Sequence, residues 1–288
     1  MARFIAHHGT VSSLEVDLET VENTGAYHIY ESVASHFCYV QFNFQDPLFQ
    51  DLAVRQAMNL AVDQEAILQV VRQGQAIVLE GPLHEGFIGY DAESMSGTQY
   101  GYDLEAAKAL LEDAGYTYDD DGMLLTPDGD PFTFELLGTP EEADVKIMQM
   151  LIDMWGQLGM TVEIQQLEWG TMAPIVFGGE YQMSTMCIGW PEADIMYMMY
   201  HSANIGGINF AYYEDETLDG LLMDTRTKTD PAERQAAVND AYTYIVDNNL
   251  MVPTLGTVSF QAVHNDFQGI EFSSYTGILL SNAYYAGE

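Results

Sequence analysis

Apolar positions along the chain recur mostly at helical spacing, in blocks that begin at an acidic residue and end at a glycine. Asp51 precedes Val54, Ala57, Met58 and Ala61, which share one helical stripe. Asp63 precedes Ile67, Val70 and Val71, with Gly74 as the stop. Asp103 opens a third block carrying Leu104, Ala107, Leu111 and Ala114, ended by Gly115. The spacing predicts a longer helix from Glu141 to Leu158, with Met148, Leu151, Ile152 and Trp155 on one face and Gly159 behind it. Shorter helices are predicted around Met172–Phe177 and Asp215–Thr225. Asp230-Pro-Ala-Glu233 combines an N-cap, a first-turn proline and a capping glutamate, and starts a helix reaching about Asn248.

Between these blocks the period falls to two. Val11–Leu18 and Ala26–Tyr30 read as short strands about an Asn23-Thr24-Gly25 turn, followed by Tyr39–Phe44. Met123–Thr126 and Phe132–Leu137, set off by acidic turns at 119–122 and 127–131, read as a hairpin. Met160–Leu167 and Gln182–Ile188 are strands on either side of the short helix at 172–177, and Val252–Leu255 and Val258–Val263 are strand-like. Residues 75–102 form a glycine-rich loop, and residues 264–288 lack a clear period. Strands alternating with helices argue for an α/β layer fold.

Composition narrows the function classes. With 44 Asp+Glu against 8 Lys+Arg in 288 residues, the formal net charge is −36. Such a surface repels nucleic acid and anionic membranes, and it suits a saline, halophilic setting because salt screens its self-repulsion. A hydrophobic content of 48% excludes a disordered chain. No apolar run is long enough to span a bilayer. The first residues, Met-Ala-Arg-Phe-Ile, read as no secretion signal. Cys38 and Cys187 lie far apart in sequence and are expected as small buried hydrophobes, although a pairing stays open.

Catalytic signatures are missing from the sequence: it has no G-x-S-x-G, H-E-x-x-H, P-loop or G-x-G-x-x-G. The acidic turn at 119–122 departs from a calcium loop because Met123 takes the fifth position. No metal and no cofactor are expected. The stretch with most chemical promise is Cys187-Ile-Gly-Trp190-Pro-Glu192-Ala-Asp194. A strand there delivers an indole into an acidic turn before a helix at Ile195, and loops beyond strand ends are where α/β proteins place ligands. A buried Trp followed by an Asp194 N-cap is the competing reading.

Taken in order, several pieces resemble one family. They are Val40-Gln-Phe-Asn-Phe44, Phe49–Ile67, Gly89-Tyr-Asp91, Tyr102–Tyr116, Leu158–Val162, Leu167-Glu-Trp-Gly170, Gly189-Trp190, Asn209 with Tyr213, and Asp230–Arg234. This order is similar to that of the extracytoplasmic solute-binding proteins of ABC importers, in the family that takes up peptides and nickel complexes. The resemblance implies a type II periplasmic-binding-protein-like α/β fold of two lobes. Residues 41–260 would be the second, ligand-closing lobe, and residues 1–40 and 261–288 would return to the first. Full members carry a long N-terminal portion, so a fragment or a split-gene product is implied.

The same resemblance implies a monomeric, non-enzymatic receptor outside the cytoplasmic membrane, binding a peptide or small solute for an ABC permease. An acidic metal-dependent hydrolase and a sensor module are the alternatives. Candidate contacts are Trp190 by stacking, Glu192 and Asp194 by charge, Glu168 and Trp169 from a preceding strand end, and Asn209 and Tyr213 from a facing loop. Trp169 reads equally well as core, and Asn209 and Tyr213 as turn formers. Peptide-binding relatives use an Asp where Ala193 stands, and an Arg within the stretch matching Gly138–Lys146, which has none here. Glu192 or Asp194 would then serve an amine-bearing solute.

Overall fold

The computed structural model describes residues 10–12, 18–97, 101–273, 277–279 and 281–286. In chain order the first elements are β1 (Thr10–Ser12), α1 (Leu18–Asn23), β2 (Tyr27–Phe42), α2 (Leu52–Leu60), α3 (Gln64–Arg72), β3 (Ala76–Ile77), α4 (Ala92–Met95) and α5 (Leu104–Asp113). The middle holds β4 (Thr117–Tyr118), β5 (Leu124–Leu125), β6 (Thr133–Gly138), α6 (Glu142–Gly156), β7 (Thr161–Gln166), α7 (Trp169–Gly178) and β8 (Met183–Gly189). The last third holds α8 (Ile195–Tyr200), α9 (Glu216–Thr227), α10 (Pro231–Asp247), β9 (Met251–His264), and β10 (Phe267–Gln268), β11 (Glu271–Ser273), β12 (Gly277–Leu279) and β13 (Tyr284–Tyr285). No helix among the described residues is long and apolar enough to cross a membrane.

The main sheet has the order β1-β9-β2-β8-β6-β7, with β3 also on β9. β6 runs parallel to β7 and to β8, while β2 is antiparallel to both β8 and β9. Alternation along the strands sends side chains to two cores. Val40, Phe42, Phe134 and Leu136 pack with α2, α3, α5 and α6. Phe37, Tyr39 and Leu137 pack on the other face with residues of α8, α9 and α10. Trp155 of α6 is fully buried and donates Nε1–H to the Met58 carbonyl at 3.0 Å, tying α6 to α2. Arg55 is buried too, its guanidinium donating to the carbonyls of Phe49, Gln50 and Asn248 and lying 5.0 Å over the Phe44 ring.

The acidic caps lie where the sequence places them. Asp51, Asp63, Asp103, Asp215 and Asp230 each accept from a first-turn amide. Three expectations are corrected. Leu18 begins a helix rather than ending a strand, residues 13–17 of that expected strand lying outside the described residues. The two short strands at 26–30 and 39–44 are parts of one strand, β2, which runs unbroken through Val40, and the two pieces near 252–263 are likewise one strand, β9. Met123–Thr126 and Phe132–Leu137 do not form a full hairpin: they meet at one antiparallel bridge, Leu125 opposite Pro131, with Phe132 N–H donating to the Leu124 carbonyl at 2.8 Å. β5 folds back on β4, while β6 enters the main sheet beside β7.

Candidate functional site

The site is built around β8. On one side it pairs with β2 from Met183 opposite Phe42 to Gly189 opposite His36. On the other side β6 meets it only at Met183 and Ser184. From Thr185 to Gly189 this second edge has no strand beside it among the described residues. β6 leaves at Gly138, where a Cβ would stand 2.5 Å from Met148 Sδ and 2.7 Å from Thr185 Oγ1 and would displace both side chains. The departing chain is then pinned by Asp144. Its Oδ2 accepts from Thr139 N–H at 2.6 Å, Thr139 Oγ1 at 2.8 Å and Thr185 Oγ1 at 2.9 Å.

This departure opens a cleft of about 250 Å³ at the carboxyl ends of the parallel strands β6 and β7, where ligands lie in open α/β sheets. Arg72, Thr139, Glu141, Asp144, Trp169, Thr185, Cys38 and Cys187 line it. Arg72 is the last residue of α3, which Gln73 closes in the left-handed region at φ 52°. Burial lowers the Arg72 pKa from its ordinary value, and the Glu141 charge pulls it back. Trp169 is the first residue of α7 and 49% exposed, so it is not core. Glu168 precedes it at the N-cap with no side-chain capping bond and is exposed.

Cys38 and Cys187 form a disulfide rather than standing as separate buried hydrophobes. The register sets them directly opposite each other on β2 and β8, with Cα atoms 4.0 Å apart. Cys38 is buried, whereas Cys187 is exposed on the floor of the cleft.

Two residues beyond Cys187 a second depression of about 600 Å³ begins, lined by Ser35, His36, Gly189, Trp190, Glu192 and Asp194. The two lie side by side along β8. The Trp190 loop is held on three sides. Trp190 N–H donates to the Ser35 carbonyl, Ile88 N–H donates to the Pro191 carbonyl at 3.2 Å, and Ala193 N–H donates to the Ile88 carbonyl at 2.9 Å. Gly89, at φ 98°, approaches so closely that a Cβ would meet Ala193 Cβ at 2.9 Å.

Asp194 does not cap α8. Its backbone is already helical and its carboxylate accepts both Arg226 Nε at 2.6 Å and Nη2 at 2.8 Å. The same guanidinium lies 3.5 Å over the Tyr197 ring. Glu192 faces Arg234 at 3.5 Å. Both acidic groups of this loop therefore have cations of the chain itself beside them. His36 joins the mouth through Nδ1, 2.8 Å from Thr257 Oγ1, and its pKa is lowered by burial and by the charge of Arg72.

Trp190, Glu192 and Asp194 thus share the second depression, and Trp169 with neighbouring Glu168 stands at the first. Asn209 and Tyr213 are elsewhere. Asn209 is fully buried, donating to the carbonyls of His201 and Tyr213, and Tyr213 packs edge-on against Phe44. They lie beyond the Phe42 end of β2, six residues or roughly 20 Å from His36. Burial pushes the Tyr213 hydroxyl pKa well up. Arg72, Glu141, Asp144 and the disulfide were not legible as site residues. Arg72 and Asp144 sit in ordinary helical sequence, and a register 149 residues apart has no local signal.

Comparison with known proteins places this geometry. The oligopeptide-binding protein AppA of Bacillus subtilis (strain 168) is 24% identical over 241 residues, 81% of this chain and 43% of the relative. The probable di/tripeptide-binding protein 5 of Pseudomonas aeruginosa (strain UCBPP-PA14) is 25% identical over 272 residues, 92% of this chain and 49% of the relative. The structure of Bacillus subtilis AppA in complex with a nonapeptide superimposes with a TM-score of 0.81 at 21% identity, over 97% of this chain and 56% of that one. NikA from Brucella suis in complex with Fe(III)-EDTA gives 0.80 at 20%, over 99% and 59%. The chain spans about half the length of the curated relatives it matches. The fold is the mixed α/β arrangement of periplasmic binding proteins. The pattern of the bacterial extracellular solute-binding proteins, family 5 Middle, matches residues 8–209, and the chain belongs to that family.

Proposed function

We propose that this chain forms one wall of a solute cleft in a receptor for an ABC importer, without catalysis of its own. Its ligand is peptide-like, and it passes to a membrane permease from a monomer outside the cytoplasmic membrane. The opposing wall is a second lobe that closes over the bound solute. In this reading residues 41–260 belong to the ligand-closing lobe, with the flanking segments leading to its partner.

The observation that carries the proposal is the unpaired edge of β8 between Thr185 and Gly189, running from the Trp169 cleft to the Trp190 mouth. An extended chain laid there finds backbone donors and acceptors spaced for strand addition, with side-chain space at each end. Relatives named for oligopeptides and di/tripeptides support the same ligand class. Among the described residues no three His, Cys, Asp or Glu side chains converge as metal ligands do, so nothing favours the hydrolase reading.

Thermal melts in low and molar salt test this, with and without pools of di- to pentapeptides, nickel chelates and oligosaccharides. A bound ligand at a hundred times its Kd stabilises by about 2.7 kcal/mol, a shift of several degrees. A rise with the peptide pool alone is expected. A cooperative melt that only a non-peptide pool raises overturns the peptide assignment.

A further inference from the structure

We infer that the Trp169 cleft is a subsite for a cationic side chain or ammonium group, held between the Asp144 carboxylate and the Trp169 face. This deepens the receptor reading above and rests on it.

The charge of the cleft is lopsided. Its lining carries Arg72, Glu141 and Asp144. Arg72 feels the Glu141 charge, but no ion pair joins the two among the described residues, so the lining carries two carboxylates against one guanidinium. Asp144 has no cation within ion-pair distance among the described residues. This contrasts with Asp194 and Glu192 at the Trp190 mouth, which face Arg226 and Arg234. The acidic group open to a ligand is therefore in the first depression, not in the second where the local sequence points.

The Asp144 carboxylate is also fixed in place. Three donors converge on Oδ2, two hydroxyls and one amide, while Oδ1 has no partner among the described residues. A held carboxylate with one oxygen to spare binds an ammonium or guanidinium without first losing side-chain freedom. Trp169 adds the second element. A half-exposed indole on the wall of a cleft is apolar area that water covers poorly, and its face attracts cations. The exposed Cys187 of the disulfide supplies an uncharged part of the lining, and the cleft volume suits one long side chain. A glutamate side chain placed there would meet Asp144 and Glu141 against the single Arg72, so anionic side chains are discriminated against.

Isothermal titration tests the assignment, using Lys-Ala-Ala, Ala-Lys-Ala and Ala-Ala-Lys with their norleucine and glutamate counterparts, all in molar salt. At least one lysine peptide is expected to bind about ten-fold or more tighter than its norleucine twin. Asp144→Asn and Trp169→Ala should each cut that preference several-fold. Trp169→Ala is the decisive variant: it alters an exposed site, leaves the net charge unchanged and so separates a built subsite from general attraction to an acidic surface. A lysine preference that survives Trp169→Ala overturns the assignment, as does equal binding of all three series or a preference for glutamate. In those cases peptide binding itself is intact and the receptor reading stands. Binding by none of the peptides overturns both.

Discussion

The loop that holds the Trp190 turn contains a buried histidine whose titration is expected to set the stability of the fold below neutral pH. His84 is 5% exposed, and its Nδ1 accepts the Gly86 N–H at 3.2 Å. The ring proton is thereby assigned to Nε2, and the ring stands edge-on to Phe87 at 4.7 Å. Burial lowers its pKa from 6.5 to about 4. A protonated imidazole would lose the Gly86 bond and carry an unshared charge beside His36, so the folded state holds the neutral form. In the unfolded chain the group titrates at its ordinary value. Stability from this group is thus fully present above about pH 6.5 and is lost as pH falls from 6.5 towards 4. With those two values, lowering the pH from 7 to 5 costs about 2 kcal/mol, or about 3 °C of melting temperature. His36 is shifted in the same direction and adds to the slope. His84→Asn keeps an acceptor for Gly86 without titrating, so melts of both proteins at pH 7 and 5 in molar salt isolate the His84 share. The variant should lose about 2 kcal/mol less than the parent over that interval. Equal losses in the two proteins would refute the reasoning.

Three further outcomes follow from specific contacts. A double-mutant cycle of Arg226→Gln and Asp194→Asn, read by urea unfolding, should give a coupling of about 1 kcal/mol at low salt, because the pair is bidentate but partly exposed, and less in molar salt. Gly86→Ala should destabilise by about 1–3 kcal/mol in the same assay, since a Cβ there meets the Ala34 carbonyl oxygen at 2.5 Å and the buried His84 ring at 2.9 Å. Reduction of Cys38–Cys187 should lower unfolding stability by about 2–4 kcal/mol, because the bridge closes a loop of 149 residues in the unfolded chain. An unchanged midpoint after complete thiol release would contradict that figure.

The helices were the legible part of the fold because their signals are local. A carboxylate one position before an apolar stripe, as at Asp51, Asp63 and Asp230, caps the helix whatever lies across from it. The long strands were not legible, because their continuity depends on partners. β2 shifts register between Val33 and Phe37, and Ala34-Ser35-His36 in that interval reads as a gap. β9 contains Pro253 and Gly256, which read as breaks. Gly256 is there because Ile77 of β3 crosses where a Cβ would stand, 2.5 Å from its Cγ1. The expected hairpin stops short for the same reason: beyond the Leu125–Pro131 bridge, β5 ladders with β4 and β6 with β7, a choice set by tertiary geometry.

The candidate site divided in a similar way. Trp190 and Trp169 stood out as indoles at strand ends, and both line depressions. Asn209 and Tyr213 carry turn chemistry, and a turn is what they build. Whether Glu192 and Asp194 were open to a ligand depended on Arg226 and Arg234, some 30 to 40 residues on, which no pattern near Trp190 announces. Asp144 was hidden for the opposite reason: it is one acid among 44.

The most direct test of the account is amide hydrogen exchange on this chain, alone and saturated with Ala-Lys-Ala. Along a strand, amides point alternately to the two edges, so those of β8 facing its unpaired edge exchange freely until a peptide pairs with them. The account predicts new protection within Thr185–Gly189, together with Thr139–Asp144 and the first turn of α7. Saturation that leaves β8 exchanging as before, with protection elsewhere or nowhere, would contradict the placement of the ligand along that edge.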